Sequence, residues 1–277
     1  YNLCKLFSLA RDTEDAILEA EASLLSRFES IDLIKEYNQL KIIKAMQDSN
    51  LNYTNFYWNT GYGYNDPGRE KVEEIYAKVF NTEDALVRPN IVSGTHALYL
   101  TLSAITTYGD TILSISGRPY DTLLTVLGVE GDEANSLKSQ GIGYQEVSLK
   151  NRRDFDYDAI SKAIDQNTKV IMIQRSTGYS DRKAIIIDKI EECITRIKNK
   201  HPEIIIMVDN CYGEFVEILE PSQCGADLVA GSLIKNPGGG LAETGGYITG
   251  RKDLVANTEH KLLAPGLADM GATGAFL

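Results

Sequence analysis

The sequence predicts an α/β chain, a mostly parallel sheet lying between helices, and three observations carry that expectation. From Gly68 onward, short apolar runs alternate with stripes of helical periodicity, the pattern of strands joined by crossover helices. The run Ile204-Ile205-Ile206-Met207-Val208 is apolar without a break and ends in Asp209, as a buried strand of such a sheet would. Polar segments follow several of the apolar runs, at the rim where open α/β sheets bind their ligands.

Before Gly68 the chain reads as a helical arm. Ile17, Ala20, Leu24 and Phe28 keep the spacing of an amphipathic helix, and Leu33, Tyr37 and Leu40 extend a second stripe, all within 12–48. Residues 52–65 set Tyr53, Phe56, Tyr57, Trp58, Tyr62 and Tyr64 among turn formers and read as irregular. The body then predicts helix 69–80, strand 85–87, helix 95–106, strand 111–115 and a helix near 120–127. Strand 143–147, helix 157–165, strand 169–173 and helix 185–198 follow, then strands 203–209, 227–230 and 245–249. Gly238-Gly239-Gly240 is too short for a linker and reads as a tight loop. The chain thus divides into an arm with its aromatic segment, 1–66, and a large domain, 67–277.

Composition excludes several classes of function. The chain has 277 residues, 43% hydrophobic and 24% charged, with a net charge of −11, and a pI near 4.9. An acidic protein lacks the basic face that nucleic acid requires. No apolar run approaches a membrane span, and no signal-peptide pattern opens the chain. Cys4, Cys193, Cys211 and Cys224 show no CxxC spacing, so a reducing cytoplasm is the expected compartment. The three histidines, His96, His201 and His260, offer no metal-ligand spacing. Gly141 and Gly143 do not make a dinucleotide fingerprint, since no acid-tipped βαβ unit follows them.

The chemistry gathers around Lys235. It stands 26 residues after the strand-end Asp209, with Ser232 three positions before it and Gly238-Gly239-Gly240 just after. Pyridoxal phosphate needs such a set: an amine to attach it and a carboxylate to keep its ring nitrogen protonated. Its phosphate needs small hydroxyls and bare backbone amides. Ser93-Gly94-Thr95-His96 lies between a strand and a helix, where the helix N-terminus can hold an anion. A Ser there also serves as an ordinary N-cap. Gly117-Arg118-Pro119-Tyr120-Asp121-Thr122 puts an aromatic at the same rim, and Gln174-Arg175-Ser176-Thr177-Gly178-Tyr179 forms a third polar cluster. Each signal is ambiguous alone; their agreement on one sheet edge carries the reading.

The order Ser-Gly-Thr, rim Tyr, Asp209-Asn210-Cys211 and Ser232-x-x-Lys235 resembles the fold-type I pyridoxal-phosphate enzymes of cysteine and methionine metabolism. Gly61–Arg69, Val92–Ala97, Gly117–Thr122 and Ile234–Gly240 look like the methionine γ-lyase-like branch, also named for aluminium resistance. The resemblance spans essentially the whole chain. It implies a fold-type I large domain, with the family's small C-terminal domain expected to be absent from this chain. Lys235 would carry the cofactor, Asp209 would face the ring nitrogen, and Ser93, Gly94, Thr95 and Ser232 would hold the phosphate. Tyr120 would stack on the ring and Cys211 would lie under its other face, where related lyases have Thr or Ala. The related enzymes reach the phosphate with a Tyr-x-Arg pair from a neighbouring subunit. Here that stretch carries Tyr62 and Tyr64 with no Arg before Arg69.

The implied function is carbon–sulfur lysis of a sulfur-containing amino acid, of methionine γ-lyase or cystathionine β-lyase type, releasing thiol, 2-keto acid and ammonia. Lys235 would move the Cα proton, and Tyr62 or Tyr64 would assist the leaving group. The rivals are an aminotransferase and a catalytically silent cofactor-binding protein. The implied assembly is a homodimer or homotetramer with shared sites, the segment 52–65 reaching the partner's cofactor.

Overall fold

The computed structural model describes residues 6–58, 66–131 and 133–267. Within them the sheet has seven strands: β1 (Asp84–Arg88), β2 (Thr111–Ser114), β3 (Gly143–Glu146), β4 (Thr168–Gln174), β5 (Ile205–Asp209), β6 (Leu228–Ser232) and β7 (Gly246–Gly250). Their order across the sheet is β1-β7-β6-β5-β4-β2-β3. Strands β3, β2, β4, β5 and β6 run parallel, while β7 is antiparallel to both of its neighbours, β6 and β1. The mostly parallel sheet is as expected.

The helices are α1 (Arg11–Asp48), α2 (Pro67–Phe80), α3 (Gly94–Ile105), α4 (Asp121–Leu127), α5 (Tyr157–Ala163), α6 (Ile187–Lys198) and α7 (Lys252–Leu263). Their termini follow local chemistry. Asp66 caps α2 by accepting from the Gly68 and Arg69 amides, with Pro67 in the first turn, where its missing N–H costs nothing. Ser93 and Asp156 cap α3 and α5 in the same way. Gly128 closes α4 at φ 77°, a left-handed position that suits glycine.

Strand alternation builds two cores. Ile171 and Ile173 of β4, with Ile206, Val208, Val229 and Tyr247, face α2 and α6. Val170 and Met172, with Ile205, Met207, Leu228 and Ile248, face α3, α4 and α7. Successive side chains point to opposite faces, so one unbroken apolar run supplies both layers. Helix α6 shows the complementary periodicity, burying Ile187, Ile190, Cys193, Ile194 and Ile197 along one stripe.

The arm differs from the expectation in one respect. The two stripes belong to a single helix of 38 residues, about 57 Å long at 1.5 Å per residue. Its only buried residues are Asn38 and Ala45; Ile17, Leu24, Phe28, Leu33, Tyr37 and Leu40 are all exposed. Asn38 fixes the C-terminal part to the body by donating to the carbonyls of Phe215 and Glu217, at 3.1 and 3.0 Å. Beyond it, Tyr53–Phe56 forms one 3-10 turn, and Tyr53, Phe56, Tyr57 and Trp58 are 66–76% exposed. Helix α7, which the sequence reading does not anticipate, packs on α3. No helix among the described residues is long and apolar enough to cross a membrane.

Candidate active site

Because β2, β4, β5 and β6 are parallel, their carboxyl ends lie along one edge of the sheet. Asp209 closes β5 and Ser232 closes β6, and the α3 N-terminus comes to the same edge. There a cavity of about 630 Å³ opens. Every site residue expected from the sequence that the structure describes lines it: Ser93, Gly94, Thr95, Tyr120, Asp209, Cys211, Ser232 and Lys235. Tyr62 and Tyr64 lie outside the described residues.

One wall is suited to an anion. Gly94 opens α3, and the first amides of a helix have no intrahelical acceptor. A Cβ on Gly94 would stand 3.2 Å from both Cys211 Sγ and Ser232 Cβ, so glycine permits this close approach of helix and strand. The Ser232 hydroxyl is buried and has no hydrogen-bond partner, a costly condition unless a bound group completes it. Ser93 also acts as an N-cap, its Oγ accepting the His96 amide at 3.1 Å. Thr95 shares a 2.6 Å hydroxyl contact with Thr122.

Across the cavity, Asp209 is buried, and its Oδ1 accepts the Cys211 amide at 3.1 Å. Burial pushes its carboxyl above the usual range, while the Cys211 hydrogen bonds and the charges of Arg182 and Lys235 oppose that shift. A cation at the free side of Asp209 would offset the desolvation. Burial and the neighbouring Asp209 push the Cys211 thiol up, so it is an uncharged wall rather than a nucleophile. Tyr120 donates its amide to the Gln174 side chain at 2.8 Å. Its ring lies 5.3 Å from that of Tyr179, with the two hydroxyls 3.2 Å apart.

The polar cluster 174–179 does not act as one rim segment. Ser176, Thr177, Gly178 and Tyr179 line the cavity, but Arg175 turns inward and is buried. Its guanidinium donates to Asn210 Oδ1 at 3.0 Å and to the Gly213 carbonyl at 2.6 Å, and it pairs with Glu217. Glu220 completes this network, accepting from Asn210 Nδ2 at 3.0 Å and from the Phe215 amide at 2.8 Å. His96 serves packing, its Nδ1 accepting the Val92 amide at 3.2 Å, and burial lowers its pKa.

Sequence reasoning missed Tyr212. Lys235 Nζ donates to its hydroxyl at 2.5 Å and stands 4.1 Å from the centre of its ring. The one available signal was its place after Asp209-Asn210-Cys211 and before Gly213, a turn beside the expected ring partner.

A family model described as methionine gamma-lyase matches residues 13–276. The chain belongs to the methionine gamma-lyase family. The uncharacterized Bacillus subtilis protein YnbB is 47% identical over 251 residues, 90% of this chain and 60% of that protein. A solved Listeria monocytogenes structure, described as a candidate cystathionine beta-lyase involved in aluminum resistance, is 47% identical. It aligns with a TM-score of 0.91 over 93% of this chain and 64% of that one. A Clostridium novyi carbon-sulfur lyase involved in aluminum resistance is 41% identical, with a TM-score of 0.92 over 98% of this chain and 65% of that one. The chain therefore spans less than two thirds of the length of these relatives. A more distant structure from Campylobacter jejuni, 26% identical with a TM-score of 0.54, is a candidate O-acetylhomoserine (thiol)-lyase holding a pyridoxyl-lysine phosphate.

Proposed function

We propose that the chain is the cofactor-binding part of a pyridoxal-phosphate-dependent carbon–sulfur lyase acting on a sulfur-containing amino acid. The observation that carries this reading is the meeting of Lys235, Asp209, Ser232 and the α3 N-terminus in one cavity. The buried, unpartnered Ser232 hydroxyl and the bare glycine beside it fit a phosphate. The buried Asp209 carboxylate fits a protonated ring nitrogen. Lys235 would attach the group, Ser93, Gly94, Thr95 and Ser232 would hold its phosphate, and Tyr120 and Cys211 would flank its ring. When bound, the cofactor supplies an electron sink for the pair left at the substrate Cα.

The chain's own residues do the rest. Asp209 holds the ring-nitrogen proton by charge in a nearly dry place, where an ion pair is stronger than in water. The Lys235 amine, once free, is placed to take the Cα proton. The printed names of the Listeria and Clostridium novyi relatives support sulfur chemistry. Incubating the cofactor-loaded protein with cystathionine, methionine, cysteine and homocysteine tests the reading. The expected products are thiol, 2-keto acid and free ammonia. An amino group retained on the cofactor would indicate transamination, and a loaded protein with no turnover would indicate a silent binder; either outcome defeats the lyase reading.

We propose further that two copies share their sites. The exposed apolar residues of α1 and the exposed Tyr53, Phe56, Tyr57 and Trp58 make a larger apolar surface than a lone subunit keeps. Two-fold pairing would cover it and carry the following tyrosines to the partner's cavity. Mixing Lys235→Ala subunits with Tyr62→Phe/Tyr64→Phe subunits should then recover activity that both parents lack. No recovery, with a monomeric mass in solution, would rule this assembly out.

A further inference from the structure

The strongest unassigned feature is Tyr212. It is a non-glycine residue held at φ 66°, in the left-handed region, a conformation that persists only when its surroundings impose it. The surroundings here do so from both sides of the turn. The Gly213 amide donates to the Asn210 carbonyl at 2.7 Å, and the buried Arg175 grips both Asn210 Oδ1 and the Gly213 carbonyl. Gly213 is itself packed so closely that a Cβ would meet Arg175 Cδ at 2.5 Å. On the lysine side, Asn236 Nδ2 donates to the Glu214 carbonyl at 2.9 Å, which ties the residue after Lys235 to the same turn. A buried network of charges thus fixes one tyrosine against one lysine.

The contact it fixes is chemical. Tyr212 lines the cavity, its hydroxyl accepts from Lys235 Nζ at 2.5 Å, and the ammonium lies 4.1 Å from the ring centre. To move protons during turnover, Lys235 must act through a free amine. Among the described residues, the hydroxyl of Tyr212 is the hydrogen-bond acceptor of that amine. Tyr212 is 59% exposed and faces the cavity that a substrate would enter.

We propose that Tyr212 is the acid–base partner of Lys235, holding its free ε-amine and carrying a proton between that amine and the departing sulfur. The proposal rests on the lyase reading and names the proton donor of that same site. In a β-elimination the Cα–H bond breaks and the proton goes to Lys235 Nζ. The Cβ–S bond breaks with its electron pair on sulfur, and the Cα–H pair becomes the new Cα–Cβ bond. Tyr212 gives its phenolic proton to sulfur and is reprotonated from Lys235 Nζ. One proton has moved from carbon to sulfur, and no oxidant or reductant is needed. Attaching pyridoxal phosphate to Lys235 also requires proton movement at Nζ, so the same pair should speed that step.

Tyr212→Phe tests this, since it keeps the ring and removes only the hydroxyl. Mixing cofactor-free protein with pyridoxal phosphate, we expect the variant to reach the wild-type occupancy at Lys235, but about fivefold or more slowly. With L-cystathionine in deuterium oxide, the loaded variant should still exchange the Cα proton while thiol release falls about 100-fold. An unchanged attachment rate with unchanged thiol release would overturn the proposal. So would exchange and release falling together by one factor, because a merely structural role predicts that. If the wild type itself neither takes up pyridoxal phosphate at Lys235 nor releases thiol, the lyase reading fails instead.

Discussion

Asp209→Asn should fold normally, bind pyridoxal phosphate at Lys235 and lose nearly all turnover. Asparagine keeps the size of the side chain and an oxygen able to accept the Cys211 amide, the hydrogen bond that Asp209 makes at 3.1 Å. What it removes is the charge. A preorganised charge in a site that excludes water typically contributes about 100- to 1,000-fold in rate, and the ring-nitrogen proton depends on this one. The fold has already met the cost of burying Asp209, whose carboxyl is pushed up by desolvation; a cationic partner would offset it beyond what the Cys211 hydrogen bonds and nearby charges do. Keto-acid formation from L-cystathionine should therefore fall by about 100- to 1,000-fold while the melting temperature holds or rises. A variant within a few-fold of the wild type would mean that Asp209 does not face the ring nitrogen.

Much of the fold was legible in the sequence because its signals are local. Val170 to Ile173 and Ile205 to Val208 are continuous apolar runs, and they form central strands buried on both faces. The Ser93 start of α3 is a chemical signal that needs no tertiary context, whereas the Asp66-Pro67 start of α2 lies two residues before the expected helix 69–80. Helix α7 was not legible, since it buries only Leu254, Val255 and Thr258, too short a stripe to stand out. The antiparallel direction of β7 was equally hidden, because a buried strand has the same apolar pattern in either direction.

The site divides along the same line. Lys235, Asp209, Ser232 and Ser93-Gly94-Thr95 announce themselves by residue type at strand and helix ends. Arg175 and Tyr212 do not. Arg175 sits within a polar run that looks like rim, yet it is drawn inward by carboxylates 42 and 45 residues later in the chain. Tyr212 meets Lys235 from a left-handed backbone position, in a turn held by that same distant network. Long-range charge pairing and an imposed backbone angle leave no periodicity to read.

The central claim is that Lys235 carries the cofactor, and trapping tests it most directly. The protein incubated with pyridoxal phosphate should turn yellow, and borohydride should fix a pyridoxyl group that peptide mapping finds on Lys235. Lys235→Ala should stay colourless under the same treatment, hold no fixed group and show no turnover, while keeping the wild-type fold. A wild-type protein that remains colourless in excess cofactor, or a pyridoxyl group mapped to another lysine, would contradict the account.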